Sequence, residues 1–290
     1  MYDLHLHSSY SDGDQSISEL VAALAAAEVR GISVTDHNGL WGDAEAAAAA
    51  AEHDLEYIAG IEISARAHGA DLHILGYSHA WQAQVLAAGL QDTRSGYERR
   101  AKRMIELCTE VGYALTIDDL TAARSHQQQP VYMAYDVGRM LTRKHGLAVA
   151  EARKLTSHGG SCHVSYGEWA LTPQAAVDLI HDAGGIAVFA HPGTVSYEEG
   201  DDTLNTILAE LVAATVDGVE VYHPFHDSIT TAHLQQYAQQ HELVVTGGSD
   251  WHGPGRYHEG SLGKIGLPDE DWVRVGQRLQ ARFPQAASTH

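Results

Sequence analysis

His5-Leu6-His7 closes the first extended stretch of the chain, and residues two apart on a strand project to the same side, so both imidazoles can reach one ion. Asp250-Trp251-His252 repeats that geometry after a stretch ending at Gly247-Gly248. Asp12 lies in the loop after His7, His37 follows a second strand pattern in Thr35-Asp36-His37, and Glu62 closes a third. His73 sits on a returning strand, and His191 directly follows Ile186–Ala190. A lone histidine is more often a surface or satisfied core residue. Six imidazoles and three carboxylates at successive strand ends are the donor set of a divalent-cation site.

Alternating elements must bring these residues together. Strand patterns at Tyr2–Leu6, Gly31–Thr35, Tyr57–Ser64, Leu72–Gly76, Ile186–Ala190, Gly218–Tyr222 and Leu243–Gly247 are separated by helical ones. Ser16-Ile17-Ser18-Glu19 is a capping box opening a helix to about Glu28, and the alanine run from Asp43 to Glu52 is a second helix. Gly69-Ala70 predicts a hairpin turn into Leu72–Gly76. From about Trp81 to Ala170 the periodicity is mainly helical, with a capped start at Thr116-Ile117-Asp118-Asp119. Alternation resumes at Thr172-Pro173, whose helix ends at Gly184-Gly185. The expected class is α/β, with parallel βαβ units in residues 1–80 and 171–290 and a helical insertion, a substrate cap, in 81–170. In a parallel barrel the strand ends share one face, where barrel enzymes keep their active sites.

Composition narrows the partners. Eighteen basic against 38 acidic residues give a net charge of −20, a field that repels long nucleic acid. No run approaches the roughly 20 apolar residues of a spanning helix, and the N-terminus has no leader pattern, so a cytoplasmic protein is expected. Cys108 and Cys162 form neither a metal spacing nor a disulfide framework and read as buried thiols. There is no Gly-x-Ser-x-Gly elbow and no Gly-rich loop followed by Lys-Ser or Lys-Thr, so serine catalysis and ATP-dependent transfer lack support.

Taken together, His5-Leu6-His7 with Ser11-Asp12-Gly13, Thr35-Asp36-His37, Gly60-Ile61-Glu62-Ile63, His73-Ile74-Leu75-Gly76, Ala190-His191-Pro192 and Ser249-Asp250-Trp251-His252 resemble the PHP domain. This is the polymerase and histidinol phosphatase group of the amidohydrolase-like barrels, and the resemblance covers residues 1–80 and roughly 171–267. It implies a distorted seven-stranded (β/α)7 barrel, similar to a TIM barrel, with three divalent ions: manganese, iron or zinc rather than magnesium, given the mixed nitrogen and oxygen donors. By position, His5, His7, Glu62 and Asp250 would hold the first ion. Glu62 would bridge to a second, completed by His73 and His191, and Asp12, His37 and His252 would hold the third.

The implied activity is phosphoester hydrolysis. Three divalent ions set against Asp12, Glu62, Asp250 and a bridging hydroxide leave about +2, which matches a phosphate dianion. That hydroxide would attack phosphorus in line. Candidate substrates are small phosphorylated metabolites: nucleotide mono- or bisphosphates, sugar phosphates or cyclic phosphates. Asp36 is expected to orient a ligand, or else to cap a helix. In Val219-Glu220-Val221-Tyr222-His223-Pro224, His223 is a candidate phosphate contact or leaving-group acid, and His226 a weaker one. Among Arg94, Arg99, Arg100, Arg103, Arg139 and Arg143, the substrate contacts are expected from Arg99, Arg103 and Arg139. Relatives that cleave nucleotides often carry Gly-Arg-Pro-His in this insertion, where this chain has Gln128-Gln129-Pro130-Val131, and Asp12-Gly13-Asp14 replaces the usual Asp-Gly-Thr. The competing readings are hydrolysis of a carbon–nitrogen bond, as in the wider barrel superfamily, and a non-enzymatic metal-binding regulatory module. The latter is disfavoured because all nine ligand positions are occupied.

Overall fold

The computed structural model describes residues 1–123, 131–256, 258 and 260–283. The chain opens with β1 (Tyr2–Asp3), α1 (Ile17–Ala26), β2 (Gly31–Ile32), α2 (Asp43–Glu52), β3 (Glu56–Tyr57), β4 (Ala59–Ala67) and β5 (Ala70–Ser78). Among the described residues, five helices follow without a strand: α3 (Ala83–Gly89), α4 (Gln91–Glu110), α5 (Ile117–Ala123), α6 (Ala134–His145) and α7 (Val149–Thr156). The last part holds α8 (Pro173–Asp182), β6 (Ile186–Phe189), α9 (Pro192–Glu199), α10 (Asp201–Ala213), β7 (Gly218–Tyr222), α11 (Ser228–Gln240), β8 (Val244–Gly247) and α12 (Asp269–Arg282). The fold is mixed α/β, as expected.

Local chemistry accounts for the helix starts. Ser16 and Glu19 form a reciprocal capping box at α1, Thr116 and Asp119 exchange the same bonds before α5, and the Thr172 hydroxyl caps α8 ahead of Pro173. The alanine run forms α2 and buries Ala46 and Ala50. Gln128-Gln129-Pro130 lies outside the described residues.

The strands form two sheets rather than one closed ladder. In the first, β1, β2 and β3 run parallel. In the second, ordered β4 to β8, the β4–β5 hairpin and the β5–β6 pair are antiparallel, while β6, β7 and β8 run parallel. The stretch expected as a single strand, Tyr57–Ser64, divides between the sheets: β3 pairs with β2, and β4 turns to β5. Isolated bridges join the two sheets at both edges, Leu6 to Trp251 and His37 to Glu62. Backbone bonds accompany them, from Leu4 N to Gly247 O (3.1 Å), His7 N to Trp251 O (3.0 Å) and Asn38 N to Glu62 O (2.8 Å). The first two strands are shorter than expected because the Thr35 hydroxyl takes part in the pairing, accepting from Leu6 N at 3.2 Å. These irregular joints carry His7, His37 and Glu62.

Packing fixes the joints in place. Helices α8 and α10 cover the five-stranded sheet, with Val177, Ile180, Ile207 and Leu211 against Ile61, Ile74, Phe189 and Val219. Each such side chain, when fully buried, stabilises the fold by roughly 1.5–3 kcal/mol. Leu20, Val21 and Leu24 of α1 cover Leu6, Ile32 and Val34. The helical segment between β5 and α8 has its own core of Met104, Leu120, Val137 and Leu141, which includes the free, buried Cys108 and Cys162. Tyr97, Val131, Met133 and Tyr166, with Trp41 and Trp169 packed on them, tie that segment to the rest. Among the described residues, no helix is long and apolar enough to cross a membrane.

Candidate metal centre

The nine residues expected as ligands come from the two parts of the chain that flank the helical segment and meet in one largely buried cluster. Their donor atoms gather into overlapping groups: His7, Asp12, His37 and His252; His5, His7 and Asp250; His5, Glu62 and His191; and His37, Glu62 and His73. Glu62 lies at the centre. Its Oε1 is 3.3 Å from His5 Nε2, 3.0 Å from His73 Nδ1 and 3.1 Å from His191 Nε2. Its Oε2 is 3.3 Å from His7 Nε2 and 3.1 Å from His37 Nδ1. Asp250 Oδ1 stands 3.4 Å from His5 Nε2 and 3.2 Å from His7 Nε2.

The donor atoms fit resident cations. His5 Nε2, His7 Nε2, Asp12 Oδ1, His37 Nδ1 and Glu62 Oε2 are buried without a hydrogen-bond partner, although an unpaired buried polar atom is costly. All five point into the cluster. The opposite ring nitrogens are committed elsewhere. His5 Nδ1 lies 3.0 Å from Glu220 Oε1. His191 Nδ1 donates to Thr194 Oγ1 (3.1 Å), whose own proton goes to His191 O. His252 Nδ1 donates to Asp250 O (2.8 Å), and His73 Nε2 meets Tyr166 Oη (2.8 Å). Fixing one nitrogen leaves the other lone pair aimed inward, the usual support of a metal-binding imidazole.

Electrostatics follow from this packing. Burial alone would raise the carboxyl of Asp12, but His252 and His37 outweigh it and hold Asp12 well below the usual range. Glu62 and Asp250 are likewise pushed up by burial and held well below the usual range by their histidines. Burial pulls His37 down to about 3 and His223 down to about 4, so both are neutral at physiological pH. His252, by contrast, is pushed down by burial but raised overall to about 9 by Asp12 and Asp250. The backbone is also constrained here, because His191 (φ 28°) and Asp250 (φ 47°) are non-glycine residues in the left-handed region. Such conformations cost of order 1–3 kcal/mol and persist where surrounding structure enforces them.

The other expected residues separate. His223 lies against the cluster, with Nε2 3.4 Å from Asp250 Oδ2. Phe225 N–H donates to His223 Nδ1 (3.1 Å), so the neutral ring carries its proton on Nε2. His226 is a loop residue, accepting from Gly193 N and donating to Val221 O. Asp36, expected to orient a ligand or to cap a helix, has its oxygens taken by Ser8 N (2.9 Å), Ser8 Oγ (2.6 Å) and Ser11 Oγ (2.5 Å). It reaches the cluster through Ser11, whose Oγ is 3.5 Å from His7 Nδ1. Asp36 therefore steadies the loop between His7 and Asp12.

The arginines named from the sequence separate by their placement. With about 3.6 residues per turn, Arg99 and Arg103 fall about 200° and 240° round α4 from the inward Tyr97. Both are exposed, and Arg103 is held by Glu106 and Glu110. Arg143 is exposed as well. The inward arginines of α4 are Arg94, which donates to Asn38 O (2.9 Å) and lies over Trp41, and Arg100, which lies over Tyr166. Arg139 meets Asp14 at 3.1 Å, beside Tyr135 and Arg256. Choosing among them required the phase of α4, which the charge pattern does not carry.

Further neighbours surround the cluster, of which sequence reasoning singled out Glu220 beside His223 and missed the others. Glu220 adds a fourth carboxylate to the three first counted, touching both His5 Nδ1 and His191 N (2.7 Å). His258 groups with His223 and Asp250. Arg256 donates to Asp12 O (2.7 Å). Glu220 had a signal in its place at a strand end. Tyr166 and Arg256 had none, because they arrive through tertiary packing.

Comparison with known proteins agrees with this geometry. The family model for the PHP domain matches residues 3–145. A 3′,5′-nucleoside bisphosphate phosphatase of Chromobacterium violaceum is 32% identical over 87% of each chain. A 5′-3′ exoribonuclease of Haemophilus influenzae is 31% identical over 87% of this chain and 90% of its own. Among solved structures, a candidate metal-dependent phosphoesterase from Bifidobacterium adolescentis superposes with a TM-score of 0.85 at 25% identity, covering 96% of both chains.

Proposed function

Because this chain belongs to the PHP-domain family, we propose that it is a metal-dependent phosphoesterase, a phosphoric ester hydrolase acting on small phosphorylated nucleotides, with 3′,5′-nucleoside bisphosphates and nucleoside monophosphates foremost. The observation that carries this reading is the inward set of unpartnered donor atoms on His5, His7, Asp12, His37 and Glu62. Only cations satisfy so many converging lone pairs at once. We read the two bridged sheets as a distorted seven-stranded barrel, with the α3–α7 segment as its cap and the cluster at its mouth.

In this reading His5, His7, Asp12, His37, Glu62, His73, His191, Asp250 and His252 hold up to three divalent ions, of manganese, iron or zinc. When bound, such ions acidify water into a nucleophile at neutral pH and neutralise charge on a phosphoryl group. The protein's own residues position the reactants. Glu220 orients His5, and Asp36 with Ser8 and Ser11 holds the loop that carries Asp12. His223, neutral with its proton on Nε2, donates a hydrogen bond to a phosphoryl or leaving-group oxygen beside Asp250. Arg139 and Arg256, gathered at Asp14, stand where a second phosphate could displace that carboxylate.

A second reading, removal of nucleotides from the 5′ end of short RNA, is favoured by the named activity of the Haemophilus relative. The charge of −20 disfavours long polymers but not an RNA end held at the metals. The decisive assay is phosphate or nucleotide release, with manganese present, from bisphosphates, monophosphates, cyclic phosphates, sugar phosphates and 5′-phosphorylated RNA oligonucleotides, alongside an amide panel. Selective turnover of the bisphosphates or monophosphates supports the first reading, and stepwise RNA shortening supports the second. Turnover confined to amides contradicts both.

A further inference from the structure

The helical segment reaches into the cluster through one hydroxyl. Tyr166 Oη lies 2.8 Å from His73 Nε2, the nitrogen opposite the one that faces Glu62 and His191. Behind it, Tyr97 Oη lies 2.8 Å from Tyr166 Oη. Ser64 Oγ lies 2.5 Å from Tyr97 Oη, and Asn38 Nδ2 donates to Ser64 Oγ (3.1 Å). Tyr97 is fully buried and Tyr166 nearly so. Tyr166 is itself braced, because its N–H donates to Asp71 (2.9 Å), Arg100 lies over its ring, and its ring centroid is 5.3 Å from that of Trp169.

We propose that Tyr166 is a positioning residue that orients His73 and accepts the Nε2 proton of its metal-binding tautomer, so that docking of the helical segment and cation binding at His73 are coupled. The proton inventory carries the argument. If His73 Nδ1 gives its lone pair to a cation, Nε2 must carry the proton and donate it to Tyr166 Oη. Tyr166 Oη has one proton of its own, so when Nε2–H donates to it that proton turns to Tyr97 Oη, 2.8 Å away, and the Tyr97 proton turns to Ser64 Oγ at 2.5 Å. The hydroxyl chain thus lets Tyr166 serve as the acceptor that the metal-binding tautomer of His73 needs. Losing such a support for a metal-binding histidine typically weakens metal affinity by about 10–100-fold.

The coupling is reciprocal. A cation that fixes His73 also strengthens its bond to Tyr166, and so holds down α4 and the loop around Tyr166. The inference rests on the metal-site reading above but not on any choice of substrate.

The test is manganese binding by the full chain, followed by calorimetry and by metal content after desalting, for the wild type, Tyr166→Phe, Tyr97→Phe and, as a surface control, Tyr197→Phe. Tyr166→Phe should lose about 10–100-fold in affinity for one class of ion and leave the others unchanged, and Tyr97→Phe should show a smaller loss in the same class. In the wild type, manganese should slow amide exchange in residues 93–101 and 163–170, a readout that needs no variant to fold. Wild-type affinity in Tyr166→Phe for every ion, or exchange in these residues unmoved by manganese, overturns the coupling while leaving the metal centre intact. A wild type that binds no divalent ion overturns the metal reading and this inference together.

Discussion

At the scale of single residues, the account rests on which atoms are left facing inward. Asp250 contributes one oxygen near both His5 and His7 and the other near His223, so it joins the inward donors of the cluster to His223. Asp250→Asn keeps the shape and removes one negative charge. It should lower bound metal and reduce phosphoester turnover by at least about 100-fold. A fully metallated, active variant would remove Asp250 from the site. His252 gives a pH dependence with a definite sign. Burial pushes it down, but Asp12 and Asp250 raise it to about 9, so in the metal-free protein it is protonated at neutral pH. A cation must displace that proton from Nε2. Affinity at this position should therefore rise with pH up to about 9 and level off above, with proton release on binding at neutral pH. His37, already neutral down to about 3, adds nothing to that slope. Calorimetry in buffers of different ionisation enthalpy checks both points, and a flat affinity without proton release contradicts the assignment.

At the scale of elements, the site depends on close approach between segments. A Cβ at Gly248 would lie 2.4 Å from His5 N and 2.5 Å from His5 Cβ. Gly248→Ala should cost roughly 1–3 kcal/mol of stability through overpacking, and should lower metal content as His5 shifts. At Gly276, inside α12, an added Cβ meets nothing within 4 Å. Gly276→Ala should stabilise by about 0.5–1 kcal/mol and leave metal content unchanged. Thermal melts with metal analysis distinguish the pair. Elements of this kind were largely legible in the sequence. The Ser16 capping box, Pro173 at its helix start, the Gly69 turn and the alanine helix are local signals, and each lies where the pattern placed it. Ladder continuity was less legible. The stretch expected as one strand from Tyr57 changes partners at Ile58, because its first residues pair with β2 and its later ones with β5. His-x-His and Asp-x-His were readable as spacings, but the strand period is not what aims them, since β1 ends at Asp3, β8 ends at Gly247 and Asp250 takes φ 47°. The link from Tyr166 to His73 spans 93 residues and exists only through tertiary packing. The helical segment was readable as helical, but which of its arginines face inward was not.

At the scale of the whole molecule, a chain with a charge of −20 must hold an anionic substrate. Its field repels polyanions, so in the proposed reading the attraction is local, supplied by cations in the cluster and by Arg139 and Arg256 beside it. This is why the function stands or falls with metal occupancy more than with any single side chain. The most direct measurement is to strip the protein with a chelator, confirm by elemental analysis that the cluster is metal-free, and follow phosphate release from a nucleoside 3′,5′-bisphosphate while manganese is returned stepwise. The account predicts no release from the stripped protein and activity that rises with bound manganese, saturating at no more than three ions per chain. Full release from the metal-free protein, or none from a fully reloaded one on any phosphoester, would contradict it.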